Sequence, residues 1–295
     1  MNTDAFAGLG VALITPFKKD LSIDFDSLEK IIHHTLHGGV DYLVVLGTTA
    51  ETPTLSAEEK QEITSFVRDT VKERVPLVIG IGGNNTAGVI RDIQTRDLQG
   101  YSAILSVAPY YNKPTQEGLF RHFKAIADSS PLPIILYNVP GRTGVNMSAL
   151  TTLKLAESSG NICGIKEASG KLDQSEEILE LAPKSFSLIS GNDSDTTALM
   201  KMGASGVISV LANAFPSQVK TLVEHCKNGN QDLANNCQDK LASIIGPIFE
   251  DGNPAGIKAV LSHMGLCSNV LRLPLVPVSK NVESRLINAM ALMGE

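Results

Sequence analysis

The chain lacks tryptophan, and only four cysteines occur among its 295 residues. Cys163, Cys226, Cys237 and Cys267 show no CxxC and no paired spacing, so neither a disulfide framework nor a thiolate metal site is expected. They read as small buried side chains in a reducing compartment, the cytoplasm. No apolar run reaches the roughly 18 residues that a membrane-spanning helix requires. The start, Met1-Asn2-Thr3-Asp4, has no basic region leading into an apolar one, so no secretory signal is expected. Basic charge is in deficit: 25 Lys and Arg against 31 Asp and Glu leave a net charge of −6, which disfavours nucleic acid as a partner. Histidine is scarce as well. His33 and His37 have the spacing of one helix face, but no HExxH arrangement accompanies them, and they read as structural.

Hydrophobic residues at 43% and charged residues at 19% suit a globular chain with a substantial core. Short apolar runs recur at Val11–Thr15, Tyr42–Leu46, Leu77–Ile81, Ala103–Val107, Ile134–Tyr137, Ile162–Ile165, Phe186–Ile189 and Gly206–Val210. They are bounded by turn-forming residues and read as buried strands. Between them lie helix-like segments: Asp26–His37, Ala57–Lys72, Ala87–Leu98, Gln116–Ala127, Ala149–Glu157, Asp173–Leu181 and Thr196–Met202. Ser56 and Glu59 form the sequence signature of a capping box, and Gly38-Gly39 can end the first helix in left-handed dihedrals.

Strand, helix, strand repeated through eight strands implies right-handed crossovers and a parallel sheet. The expectation is an α/β chain closed into a (β/α)8 TIM barrel with a C-terminal helical appendage. A doubly wound open sheet would place a glycine-rich turn after its first strand, where Thr15-Pro16-Phe17-Lys18 stands instead. Phe215–Lys227, Leu233–Phe249, Ala255–Met264 and Val282–Met293 read as helices. The expected division is a catalytic barrel over residues 1–225 and a helical extension over 226–295.

In such a barrel, residues just past each strand share one mouth. That set contains Gly47-Thr48-Thr49-Ala50-Glu51, Pro109-Tyr110-Tyr111-Asn112-Lys113-Pro114 and Tyr137-Asn138-Val139-Pro140-Gly141-Arg142-Thr143. It continues with Lys166-Glu167, Ser190-Gly191-Asn192-Asp193 and Ile208-Ser209-Val210. Taken singly, each member also suits a plain role. Lys166 could be a strand-end lysine reaching to water, Tyr137 an aromatic plug, and Thr48 and Thr49 a strand terminus. Tyr110 and Tyr111 could be surface aromatics, Arg142 an ion-pair partner, and Gly191 a turn. No histidine or carboxylate cluster of the kind a metal-dependent aldolase needs is present, and no histidine stands at a strand end for a Ser-His-Asp arrangement. The set suits an amine nucleophile with a proton shuttle, because an amine among apolar neighbours loses hydration and Schiff-base formation needs several proton transfers at one carbon.

Five of these segments, in order, resemble the 4-hydroxy-tetrahydrodipicolinate synthase (dihydrodipicolinate synthase) family, from about residue 6 to the C-terminus. The fifth is Gly206-Val207-Ile208-Ser209-Val210. The resemblance implies a Schiff-base mechanism without metal or organic cofactor. In it Lys166 attacks pyruvate, and the resulting enamine adds to L-aspartate 4-semialdehyde, a step of lysine and diaminopimelate biosynthesis. It further implies that Tyr137, Thr48 and Tyr111 relay protons, with Tyr111 supplied by a neighbouring subunit. Thr49 would hold the pyruvate carboxylate, Gly191 and Ile208 would shape its pocket, and Arg142 would bind the semialdehyde carboxylate. A homotetramer, as a dimer of dimers, is the implied assembly.

Two departures from the family stand out. Ala50 replaces a usual glycine, which would cost about 1 kcal/mol if that turn required a positive φ. The histidines and glutamate of lysine-inhibitable bacterial members would fall at Ala57, Lys60 and Gly88, so weak or absent lysine inhibition is expected. Rival readings are a sister Schiff-base aldolase, such as N-acetylneuraminate lyase or a 2-keto-3-deoxy-sugar-acid aldolase, and a non-catalytic keto-acid-binding barrel. Arg142-Thr143 and the Tyr110-Tyr111 pair favour a small carboxylate-bearing partner over a sugar acid.

Overall fold

Period-two alternation splits each strand between two cores. Along Tyr42–Val45, Tyr42 and Val44 face one apolar cluster while Leu43 and Val45 face another. The first cluster, with Ala103, Leu105, Ile135, Tyr137, Ile189 and Ile208, fills the interior of a closed barrel. The second, larger one lies between the sheet and the surrounding helices. The computed structural model describes residues 6–293, so the amino-terminal stretch read above for a secretory signal lies outside the described residues.

In chain order the elements are β1 (Gly8–Ala12), α1 (Phe25–His37), β2 (Tyr42–Val45), α2 (Ala57–Val71), β3 (Leu77–Gly80), α3 (Thr86–Thr95) and β4 (Ala103–Val107). Then come α4 (Gln116–Ser129), β5 (Ile134–Asn138), α5 (Pro140–Thr143), α6 (Ala149–Ser158), β6 (Ile162–Glu167), α7 (Leu172–Leu181), β7 (Ser187–Ser190), α8 (Thr196–Met202) and β8 (Gly206–Ser209). The chain ends with α9 (Pro216–Lys227), α10 (Gln231–Glu250), α11 (Ala255–His263) and α12 (Lys280–Leu292). Every strand pairs in parallel with its sequence neighbour, and β8 returns to β1 through Gly10 opposite Ile208. This is the expected (β/α)8 barrel with helices appended at its C-terminal end.

The helix starts follow from local chemistry. Ser56 and Glu59 form the capping box in full, and Thr115 and Ser148 accept from backbone amides at the starts of α4 and α6. His33 faces solvent 3.7 Å from Glu29, whereas His34 Nε2 lies 2.8 Å from the Ala214 carbonyl and ties α1 to the end of the barrel.

Most boundaries differ from the sequence reading by a few residues, and for two of them the packing gives the physical reason. The first strand begins at Gly8 rather than Val11, because both early glycines are demanded by packing. A Cβ on Gly10 would stand 2.3 Å from the Tyr42 ring, and Gly8 (φ 92°) abuts the Asp41 carboxylate. The sixth strand runs on through Lys166 and Glu167, two residues past its apolar run. Those polar residues stay in the sheet because Lys166 pairs with Tyr137 and Glu167 with Asn138 in the β5–β6 register. The Glu167 carboxylate, 2% exposed as a residue, accepts from Asn138 Nδ2, Gln174 Nε2 and the Ser169 amide. A buried carboxylate so fully bonded is tolerated at that depth.

Candidate active site

Lys166 and Tyr137 come together because adjacent strands in register present them to the same interior. Outward-facing Ile165 and Leu136 alternate with inward-facing Lys166 and Tyr137. The lysine is 5% exposed and the tyrosine 6%, and Lys166 Nζ stands 4.4 Å from the centre of the Tyr137 ring. An amine in this position has lost most of its water, and an aromatic ring that bears a hydroxyl stands against it.

A cleft of about 360 Å³ opens above them. Thr48, Tyr110, Tyr137, Val139, Arg142 and Thr143 contribute to its walls. Its size suits a pair of small substrates rather than a polymer. Arg142 lies on α5, a single helical turn begun by Pro140 and closed by Gly144 at φ 74°. It is exposed at the mouth, and no carboxylate of the described residues pairs with it. A guanidinium so placed is free to take the carboxylate of a ligand in a fork.

Thr48 and Thr49 occupy a 3-10 turn, Thr48–Ala50, directly after β2. Thr48 is half-buried on the cleft wall, while Thr49 is buried and its Oγ1 accepts from Asn253 Nδ2 at 3.1 Å. The strain expected at Ala50 falls elsewhere. Ala50 is not among the residues of positive φ, whereas Glu51, next along, takes φ 52° and Leu46, before the turn, φ 58°. Each costs about 1–2 kcal/mol for a residue with a Cβ. Sequence pattern missed this because the turn puts its left-handed residue one place later than a glycine there suggests.

At the ends of β7 and β8 the backbones approach closely. The Gly191 amide donates to the Glu167 carbonyl at 2.8 Å, and a Cβ there would stand 2.6 Å from the Ala168 Cβ. Ile208 is fully buried in the same interior cluster as Tyr137. Asp193 entered the sequence reading only as a member of the segment after the seventh strand, and its carboxylate is buried. It accepts from Ser209 Oγ and from the Val210 and Leu211 amides. Burial pushes its carboxyl above the usual range, opposed by those hydrogen bonds and by the charge of Lys166. The signal for it was the strand-end position itself.

Tyr111 behaves differently from the rest. It is 89% exposed, holds φ 72°, and is not among the residues lining the cleft, although its neighbour Tyr110 is. The loop is fixed by Asn84 Nδ2 donating to the Tyr110 carbonyl and by Asn112 Nδ2 donating to the Asn84 carbonyl, both at 3.1 Å. Of the residues singled out in the sequence, the fold thus brings Thr48, Tyr137 and Arg142 onto one cleft, with Lys166 against the Tyr137 ring and Ile208 in the same interior cluster as Tyr137. Thr49, Gly191 and Tyr111 are not among the residues that line that cleft, Thr49 being buried and Tyr111 held out in solvent within a single chain. Among the described residues no group of three His, Cys, Asp or Glu is placed to hold a metal ion, and no helix is long and apolar enough to cross a membrane.

Comparison with known proteins agrees with this fold. The model of the dihydrodipicolinate synthetase family matches residues 5–291. A 4-hydroxy-tetrahydrodipicolinate synthase of Parabacteroides distasonis is 52% identical over 270 residues, covering 92% of this chain and 91% of that one. Among solved structures, a monomeric dihydrodipicolinate synthase variant superposes with a TM-score of 0.96 at 38% identity, covering 99% of this chain and 98% of the other. The chloride-inhibited dihydrodipicolinate synthase of Acinetobacter baumannii, complexed with pyruvate, gives 0.94 at 38% identity, covering 98% and 99%. Matched along nearly its whole length in motif, relatives and fold, the chain is an enzyme of the lyase type and belongs to the dihydrodipicolinate synthetase family.

Proposed function

We propose that the protein condenses pyruvate with L-aspartate 4-semialdehyde to 4-hydroxy-tetrahydrodipicolinate through a Schiff base on Lys166. The observation that carries this reading is the buried amine of Lys166 beside the ring of Tyr137, which itself lines a cleft together with Thr48 and Arg142.

The neutral amine adds to the pyruvate ketone, and the carbinolamine loses water to give an iminium. Loss of a methyl proton then gives an enamine. Tyr137 delivers and removes protons at the nitrogen and oxygen of this carbon, with Thr48 linking it to the next hydroxyl. That hydroxyl is Tyr111 of a neighbouring subunit, which accounts for a tyrosine held out in solvent in a strained backbone conformation. The Thr49 hydroxyl and backbone amide bind the pyruvate carboxylate, and Gly191 and Ile208 shape the space around it. Arg142 holds the carboxylate of the semialdehyde while the enamine carbon attacks its aldehyde. Intramolecular attack of the substrate amine on the iminium carbon then releases the cyclised product and regenerates Lys166. The iminium serves as the electron sink, so this sequence calls on neither metal nor organic cofactor.

In this reading residues 1–225 form the catalytic barrel and 226–295 the helical extension. The assembly is a homotetramer built as a dimer of dimers, the location is the cytoplasm, and the product feeds diaminopimelate and lysine biosynthesis. Borohydride reduction in the presence of pyruvate, followed by peptide mass spectrometry, tests the central step. The adduct is expected on the peptide containing Lys166, and its absence there overturns the mechanism. Turnover with aspartate semialdehyde but not with N-acetylneuraminate is expected. The reverse preference would assign a sister aldolase activity.

A further inference from the structure

Lys258 and Glu51 form an ion pair whose two side chains are both 0% exposed, and none of the steps above uses it. Lys258 lies on α11, on the segment Ala255–Leu261 that is buried throughout. Its ammonium is fully occupied: it donates to Glu51 and to the Val270 carbonyl at 2.9 Å, and stands 4.2 Å from the centre of the Phe17 ring. The second Glu51 oxygen accepts the Arg272 amide at 3.0 Å. The Arg272 guanidinium also stands over the Phe17 ring, 4.4 Å from its centre, and donates to the Thr54 carbonyl and to Glu59. Burial pulls the Lys258 ammonium below the usual lysine range, and Glu51 opposes that pull.

A buried ion pair is a poor source of stability, because desolvating both charges offsets most of their attraction, and an apolar pair of similar volume often serves as well or better. Its directional value is greater, because each charge accepts a partner at only a few positions. Glu51 is the residue that turns left-handed at the end of the Thr48–Ala50 turn. Two residues before it, the Thr49 hydroxyl accepts from Asn253, which lies between α10 and α11. A hydroxyl that accepts from an amide donor keeps its own proton for another acceptor.

We infer that the Glu51–Lys258 pair, with Asn253, is a positioning device by which the C-terminal helices hold the Thr48–Thr49 turn for the carboxylate of the keto acid. The inference rests on the role proposed for Thr49, and it gives the helical extension a part in the active site. These are positioning residues: they act on the ligand through the turn, while Arg142, on α5, is anchored independently of them.

The test is the double variant Glu51→Gln/Lys258→Met, which removes both charges and leaves neither one stranded. With folding checked by circular dichroism, KM for pyruvate is expected to rise about ten-fold or more, with KM for the aldehyde unchanged. Reductive trapping on Lys166 is expected to need correspondingly more pyruvate. The single variant Asn253→Ala, which keeps the ion pair, is expected to raise KM for pyruvate about five-fold, the worth of one hydrogen bond. It decides the matter if the double variant does not fold. Unchanged KM for pyruvate in a folded variant overturns the inference, as does an equal rise for both substrates, which would mean general loosening. Failure of the wild-type enzyme to trap pyruvate on Lys166 would instead sink the Schiff-base reading, so the two failures are separable.

Discussion

His122 provides a pH-dependent stability that can be worked from its surroundings. The imidazole lies on α4, 5% exposed, with Nδ1 2.9 Å from Thr86 Oγ1 and Nε2 buried without a partner. Burial lowers its pKa from 6.5 to about 4. A protonated ring would place a charge and an unsatisfied N–H in the core, so the folded protein keeps it neutral. Between pH 6.5 and about 4 the unfolded chain therefore holds a proton that the folded chain does not, and stability falls as pH falls through that window. The whole shift corresponds to about 3 kcal/mol, of which about 2 kcal/mol is lost between pH 7.5 and pH 5. Replacement by phenylalanine keeps a ring of similar size, removes the titration, and gives up only the Thr86 bond, about 1 kcal/mol. Urea midpoints at pH 7.5 and pH 5, taken on wild type and His122→Phe, make the comparison. The wild type is expected to lose about 2 kcal/mol more than the variant on acidification. Equal losses in the two proteins would refute the reasoning and move the acid sensitivity to other groups.

Arg142→Lys keeps the charge but not the planar fork, so KM for the semialdehyde is expected to rise about ten-fold while KM for pyruvate stays within two-fold. Steady-state kinetics in both substrates check the split. L-Lysine is expected to inhibit weakly or not at all, because the outer end of the cleft presents Lys60 and Arg96 where a cationic ligand would need carboxylates. Asp92 there is already engaged by Arg96 at 2.6 and 2.8 Å. Burial, assisted by the Arg96 charge, lowers the Lys60 pKa, which reflects how poorly this spot accepts a further cation. A submillimolar inhibition constant would contradict this.

Much of the architecture was legible because it is periodic. Eight apolar runs separated by helix signals admit few closed topologies, and the strand ends mark a single face of the barrel. Boundaries were less legible where packing overrides local preference. Gly8 and Gly10 look like breakers but lie inside β1, since the space above them is taken by Asp41 and Tyr42. Lys166 and Glu167 look like the exit from β6 but remain in it, because Asn138 and Gln174 satisfy the glutamate. In both cases the deciding atoms belong to another strand or helix, at a distance along the chain that local pattern does not span.

The support of the site was the least legible part, and the reason is specific. Lys258 sits alone in Ala255-Gly256-Ile257-Lys258-Ala259-Val260-Leu261, where helical periodicity alone would turn a lone charge toward water. Its partner is 207 residues earlier, in a turn whose other members were chosen by their likeness to catalytic groups. A hydrophobic pattern records which face of an element is covered and says nothing about which element covers it. A single charge inside such a face calls for a physical justification, and here it is an opposite charge brought to it by the fold. Lone ionisable residues in otherwise apolar helices are therefore where a sequence reading should expect a distant partner, and here that partner adjoins Thr48 and Thr49.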